Sequence, residues 1–219
     1  MTTSPVPAAP FDPADLTDPT PPPRLQVEGL CSAVVAPVGF CLGAGTCLAI
    51  SGPSGAGKTR LLRLIADLDE GQGTVLLDGV PRDSYPAPQW RTRVVYQSAE
   101  SAWWLPNVIQ HVEPALRDQA VMLASRLALG ADRLAADITQ LSTGERQRAA
   151  LVRSLLMRPA VLMLDEPSSA LDADNVERME EVLLEQMRGG LSLLLVTHSR
   201  EQQARIAHGC VTVNKRGGT

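Results

Sequence analysis

The chain is short of aromatic residues, with three Trp, two Tyr and two Phe among 219 residues. Between Leu25 and Ile50 the only ring is Phe40. The four cysteines, Cys31, Cys41, Cys47 and Cys210, form no C-x-x-C pair and have no histidine at metal-ligand spacing. That argues against a disulfide framework or a zinc site, and for small apolar residues in a reducing compartment. Apolar runs such as Leu193-Leu194-Leu195-Val196 are far too short to span a bilayer. The N-terminus lacks the basic-then-apolar order of a secretory leader. No heptad run and no internal repeat is present, which disfavours coiled coils and solenoids. A basic balance is missing too: the formal charge of −4 argues against nucleic acid as the main partner. A cytoplasmic protein is expected, with 44% apolar and 20% charged residues in the ordinary globular range.

What is present begins with proline. Residues 1–23 hold eight of the 17 prolines, and such a segment cannot bury enough surface to offset its ordering entropy. A disordered tail is expected there, followed by one domain over 24–219. From Leu25 the pattern alternates. Strands are expected at 25–28, 34–41, 46–51, 74–78, 93–96, 160–165, 191–197 and 210–214. Helices are expected at 58–67, 115–129, 142–157, 175–187 and 200–207. Continuously apolar runs within 160–165 and 191–197 suit central strands covered on both faces. The fold class is therefore α/β with a mostly parallel sheet. Short turns among the early strands suggest an antiparallel flank, and residues 98–158 read as a small helical subdomain.

Three motifs carry chemistry. Gly52-Pro53-Ser54-Gly55-Ala56-Gly57-Lys58-Thr59 fits G-x-x-x-x-G-K-[ST] between an expected strand and an expected helix, the context that a phosphate loop requires. Its backbone N–H groups and the helix N-terminus would cradle phosphate oxygens, Lys58 would reach the β- and γ-phosphates, and the Thr59 hydroxyl would meet Mg²⁺. Asp165 ends an apolar strand, where ligands of open α/β sheets bind, and a carboxylate there can hold Mg²⁺ through water. Glu166, the next residue, is placed to orient or deprotonate an attacking water. Between these lies Leu141-Ser142-Thr143-Gly144-Glu145, in which Ser142 and Glu145 satisfy the S-x-x-E of a helix capping box. The same helix N-terminus offers a hydroxyl, N–H groups and a dipole to an anion. Gly144 is not needed by a cap and costs about 1 kcal/mol in a helix relative to Ala, so something should approach the backbone closely there.

The segment 141–145, with Arg146-Gln147-Arg148 behind it, resembles the LSGGQ signature of the ABC-type ATPases, departing from it at Thr143 and Glu145. The motifs fall in that family's order from about Leu25 onward. The resemblance implies a P-loop NTPase core and makes Gln97 the glutamine that reaches Mg²⁺ and the water. It makes Ser169-Ala170-Leu171-Asp172 the D-loop and His198 the switch histidine at the γ-phosphate. It implies ATP and Mg²⁺ as cofactors and a head-to-tail pair in which Ser142 and Gly144 contact ATP in trans. It also implies an integral membrane permease as partner, which would hold the chain peripherally at the inner face of the cell membrane. The alternative is a soluble ATPase of the same kind acting on nucleic acid or ribosomes, although those usually carry coiled coils or two cassettes.

The chain departs from the family where an early aromatic usually stacks on adenine. Phe40 lies too near Gly52 for that, which leaves the base aliphatic contacts. Trp103 and Trp104 cannot share one helical face. Either both are buried or one anchors a membrane partner. The helical lobe with Ala99-Glu100-Ser101-Ala102-Trp103-Trp104 also resembles single-cassette ATPases of an iron or metal export group.

Overall fold

The computed structural model describes residues 23–216. All but the last residue of the expected tail lies outside them. Two sheets organise the chain. A four-stranded antiparallel sheet, ordered β2-β1-β4-β5, is built from β1 (Leu25–Cys31), β2 (Val38–Leu42), β4 (Gln72–Leu77) and the short β5 (Val80–Pro81). A five-stranded parallel sheet is ordered β6-β7-β8-β3-β9. Its strands are β3 (Cys47–Ser51), β6 (Val94–Gln97), β7 (Val161–Asp165), β8 (Ser192–Val196) and β9 (Gly209–Thr212). The helices are α1 (Lys58–Ile65), α2 (Ala87–Arg93), α3 (Arg117–Arg126), α4 (Ala131–Ala135), α5 (Thr143–Leu156), α6 (Ala173–Arg188) and α7 (Arg200–Ile206). The α/β architecture, the mostly parallel sheet and the antiparallel flank agree with expectation.

β7 and β8 are buried at every position, as their unbroken apolar sequence requires. Side chains alternate across a strand, so each strand feeds two cores. Leu162, Leu164, Leu193 and Leu195 join α5, α6 and the helical lobe on one face. Val161, Met163, Leu194 and Val196 join α1 and the antiparallel sheet on the other. The lobe has no separate core: Ala120, Ala124 and Leu134 pack into the same cluster as Leu162 and Leu164.

α6 buries Met179, Val182, Leu183 and Met187, one stripe at helical spacing, under an N-cap by Asp172. α2 is an element without a counterpart in the sequence reading. Its Trp90 is fully buried, and the indole Nε1 donates to Ile65 O at 2.9 Å, satisfying a carbonyl that the C-terminus of α1 leaves open. The expected helix 115–129 is shorter in fact, because Pro114 opens a 3-10 turn and α3 starts only at Arg117. β6 runs to Gln97, one residue beyond its expected end.

Candidate active site

All strands of the second sheet run in parallel, so the segments after β3, β7 and β8 emerge at one edge. That edge holds the phosphate loop, Glu166 and His198. Together they line a cleft of about 450 Å³ with Ser54, Lys58, Thr59 and Arg60.

α1 starts without a side-chain cap and with no acid in its first turn; Gly57 stands at the N-cap with φ 95°. A Cβ added there would lie 2.7 Å from Val35 Cγ2, so both the backbone angle and the space demand glycine. Unpaired N–H groups and the positive end of the helix dipole thus face the cleft. Lys58 Nζ donates to Gly52 O at 2.9 Å and Pro53 O at 3.3 Å, lying along the loop it serves.

The Thr59 hydroxyl donates to Asp165 Oδ2 at 2.7 Å across 106 residues of chain. Asp165 is 5% exposed. Glu166 adopts φ 48°, left-handed for a non-glycine residue, while its N–H donates to Val196 O at 2.9 Å. Such a backbone costs on the order of 1–3 kcal/mol, which the surrounding sheet must hold in place. The turn sends the carboxylate outward, where Oε1 lies 3.0 Å from His198 Nε2.

Gln97 does not join this cluster. It is 5% exposed, and its Oε1 accepts from Ser154 Oγ at 3.0 Å on α5. The register explains why. Gln97 pairs with Leu164, which faces α5, whereas Tyr96 pairs with Met163, which faces α1. Period-two alternation therefore puts Tyr96, not Gln97, on the side of Asp165. The Tyr96 hydroxyl donates to Asp165 Oδ2 at 3.1 Å.

Sequence reasoning also passed over Arg60 and Arg63, which line the cleft and converge on Asp69. Arg63 grips that carboxylate with Nε and Nη2 at 2.8 and 2.9 Å, and Arg60 reaches it at 3.0 Å. The Arg63 hydrogen bond holds the Asp69 carboxyl below its ordinary pKa.

Ser142 and Gly144 stand apart from the cleft at the start of α5. Ser142 Oγ accepts from Glu145 N at 3.2 Å and Glu145 Oε2 accepts from Ser142 N at 2.8 Å, a complete capping box. Arg133 clasps the same carboxylate at 2.7 and 3.1 Å, and that contact, with the Ser142 N–H, holds its pKa down at about 2. The close approach expected at Gly144 is internal. A Cβ there would lie 2.7 Å from the carbonyl oxygen of Ala170. Gln147 secures that approach, donating to Ser169 Oγ at 2.8 Å and accepting from Ala170 N at 3.2 Å.

Phe40 packs against the core beneath α1. The exposed apolar side chain beside Gly57 is Val34. Trp103 is half-buried over Arg153, 4.4 Å from ring centre to guanidinium carbon, and Trp104 is 71% exposed. Both rings meet His111 edge-on. Trp104, Arg153, Tyr96, Val95 and Leu116 border a groove of about 470 Å³ between the sheet and the helical lobe.

Comparison with known proteins agrees with this geometry. The profile of the ABC transporter family matches residues 35–169. The taurine import ATP-binding protein of Pseudomonas savastanoi pv. phaseolicola is 36% identical over 193 residues, covering 83% of this chain and 72% of its own. An aliphatic sulfonates import ATP-binding protein of Agrobacterium fabrum is 39% identical over 168 residues, covering 73% of this chain and 62% of its own. Among solved structures, the ATP binding subunit of an ABC transporter superposes with a TM-score of 0.76 at 23% identity, over 87% of this chain and 85% of that one. A dimeric bacterial ABC transporter cassette superposes with a TM-score of 0.72 at 19% identity, over 89% and 100%. These two likenesses concern the fold. The profile and the import proteins reach further: the chain belongs to the ABC transporter family, as an ATP-binding subunit and an ATPase.

Proposed function

We propose that two copies of this chain close head to tail over two ATP molecules and drive import through a separate membrane permease, with Ser142 and Gly144 of each copy facing the nucleotide of the other. The observation that carries the catalytic part is the meeting, at one sheet edge, of the phosphate loop, the Thr59–Asp165 pair and the Glu166–His198 pair.

The residues fit Mg²⁺. One buried carboxylate sits against a hydroxyl at 2.7 Å, beside a cleft for phosphates, and Mg²⁺ favours few protein oxygens supplemented by water and phosphate. Thr59 and Asp165 would hold it; bound there, it neutralises charge on the β- and γ-phosphates. Gln97 enters this set only once its amide has left Ser154. Lys58 and the N–H groups of α1 bind the phosphates. Glu166 orients a water in line with the γ-phosphorus and accepts its proton as the new P–O bond forms and the bond to ADP breaks. His198, 3.0 Å from Glu166, is placed to hold that carboxylate and the γ-phosphate together.

Glu166→Gln keeps the shape and removes the base. It is expected to bind ATP, accumulate as a dimer and turn over roughly 10²–10⁴-fold more slowly, read by phosphate release and by size. Wild-type turnover in this variant rules Glu166 out as the base.

The relatives reported above are named for taurine and aliphatic sulfonates, which supports import and an organic sulfonate as cargo; the likeness to metal exporters gains no support from them. The groove bordered by Trp104 is the proposed permease-docking surface, since exposed Trp anchors are enriched at interfaces. Trp104→Ala should weaken assembly with the permease while basal ATPase stays unchanged; unaltered assembly removes Trp104 from the interface. No helix among the described residues is long and apolar enough to cross a membrane.

A further inference from the structure

The Asp165 carboxyl sits in a nearly closed site, 5% exposed. Burying a carboxylate costs several kcal/mol unless donors replace its water. Its donors here are two hydroxyls, Thr59 at 2.7 Å and Tyr96 at 3.1 Å, and both address Oδ2. The other oxygen, Oδ1, takes no side-chain donor among the described residues. A carboxylate pinned through one oxygen from two directions has its plane set and presents its second oxygen in a defined direction.

The Tyr96 hydroxyl is well prepared for this task. A phenol O–H is a hydrogen-bond donor, and this one lies 3.1 Å from Asp165 Oδ2. Its ring packs with the core beneath α1, and the same residue walls the groove that holds Trp104 and Arg153. The strand register that turns Gln97 toward α5 turns Tyr96 toward Asp165.

We propose that Tyr96 is a positioning residue for the cation–nucleotide complex: its hydroxyl orients the Asp165 carboxylate toward the bound cation. The proposal rests on the assignment of Asp165 to Mg²⁺ made above. Tyr96 touches neither nucleotide nor cation in this scheme. It acts on them only through Asp165, as the outer partners of metal ligands do elsewhere.

The test is Tyr96→Phe, which keeps the ring and deletes the hydroxyl. ATP affinity is measured first in EDTA and then as Mg²⁺ is titrated in, by equilibrium binding to the full-length chain. The wild type is expected to gain affinity with Mg²⁺. The variant should match it in EDTA within about twofold, yet need about tenfold more Mg²⁺ to reach half of its gain, the size seen when an outer partner of a metal ligand is lost. An unchanged Mg²⁺ midpoint overturns the proposal. So does an equal loss of affinity in EDTA, which would mark a general structural role for the hydroxyl. A wild-type chain that binds ATP but gains nothing from Mg²⁺ overturns the assignment of Asp165 as well, and one that binds no ATP overturns the proposed function itself.

Discussion

Two helices of this molecule begin with sequences that read as anion sites, and they begin in opposite ways. α1 opens on a left-handed glycine, with no side-chain cap and no acid in its first turn. α5 opens on a complete capping box, and Arg133 clamps the capping carboxylate. The first helix leaves its donors uncommitted and turns them on a cleft lined by Lys58 and Thr59. The second has committed the N–H groups of Ser142 and Glu145 to its own side chains. A phosphate can therefore be captured outright at α1. At α5 two of the donors are already taken, and in the proposed function that end closes over a nucleotide held elsewhere. In the proposed function the same chemistry, a helix dipole with a hydroxyl nearby, is divided into a binding end and a closing end.

The sharpest way to break this contrast is to block the closing end alone. Ser142→Arg should leave ATP binding to the single chain intact and abolish hydrolysis, since a bulky cation would prevent closure; phosphate release with an accompanying binding isotherm checks both halves. Hydrolysis that survives would reduce Ser142 to a cap. The binding end is tested by Lys58→Ala, expected to lose about 10–100-fold in ATP affinity, the worth of one charge-assisted contact of about 1.5–3 kcal/mol. Tight binding in that variant would contradict the division from the other side.

The smallest effect concerns the cap itself. The Glu145 pKa is lowered from 4.5 to about 2 by Arg133 and the Ser142 N–H. A group depressed in the folded state stabilises it above the unfolded pKa and ceases to do so as pH falls through the folded one. The stability difference between wild type and Glu145→Gln should therefore be full above about pH 4.5 and shrink toward about pH 2, followed by urea denaturation across that range. A difference independent of pH would show that the Arg133 contact contributes little.

The parts legible in the sequence are those written locally. The phosphate loop is eight consecutive residues, and the capping box spans four positions of one turn, so each carries its own geometry. The parts not legible depend on what another segment does. Tyr96 and Asp165 are 69 residues apart, and only the strand register brings them together. Gly144 announced a close approach, but not that the approaching backbone would be Ala170. Gln97, read from its place in a motif, was assigned to the metal, although alternation along β6 sends its side chain to the opposite face in this structure. α2 escaped notice because seven residues, one of them Pro88 and preceded by Pro86, are too few to display a helical period.

The tie between Gln147 and the loop at Ser169 and Ala170 has a consequence for how a pair of such chains would meet. The start of α5 and the segment leading into α6 are bolted together, with Gly144 removing the last obstacle to their contact and Arg148 reaching Asn175 behind them. They are held against each other. In the proposed head-to-tail pair a neighbouring copy would therefore be presented with a two-pronged key of set spacing, in which a shift of one prong would carry the other. Recognition between copies in that pair would then tend toward all-or-none, and a change that shifts either prong would be felt at both ends of the key.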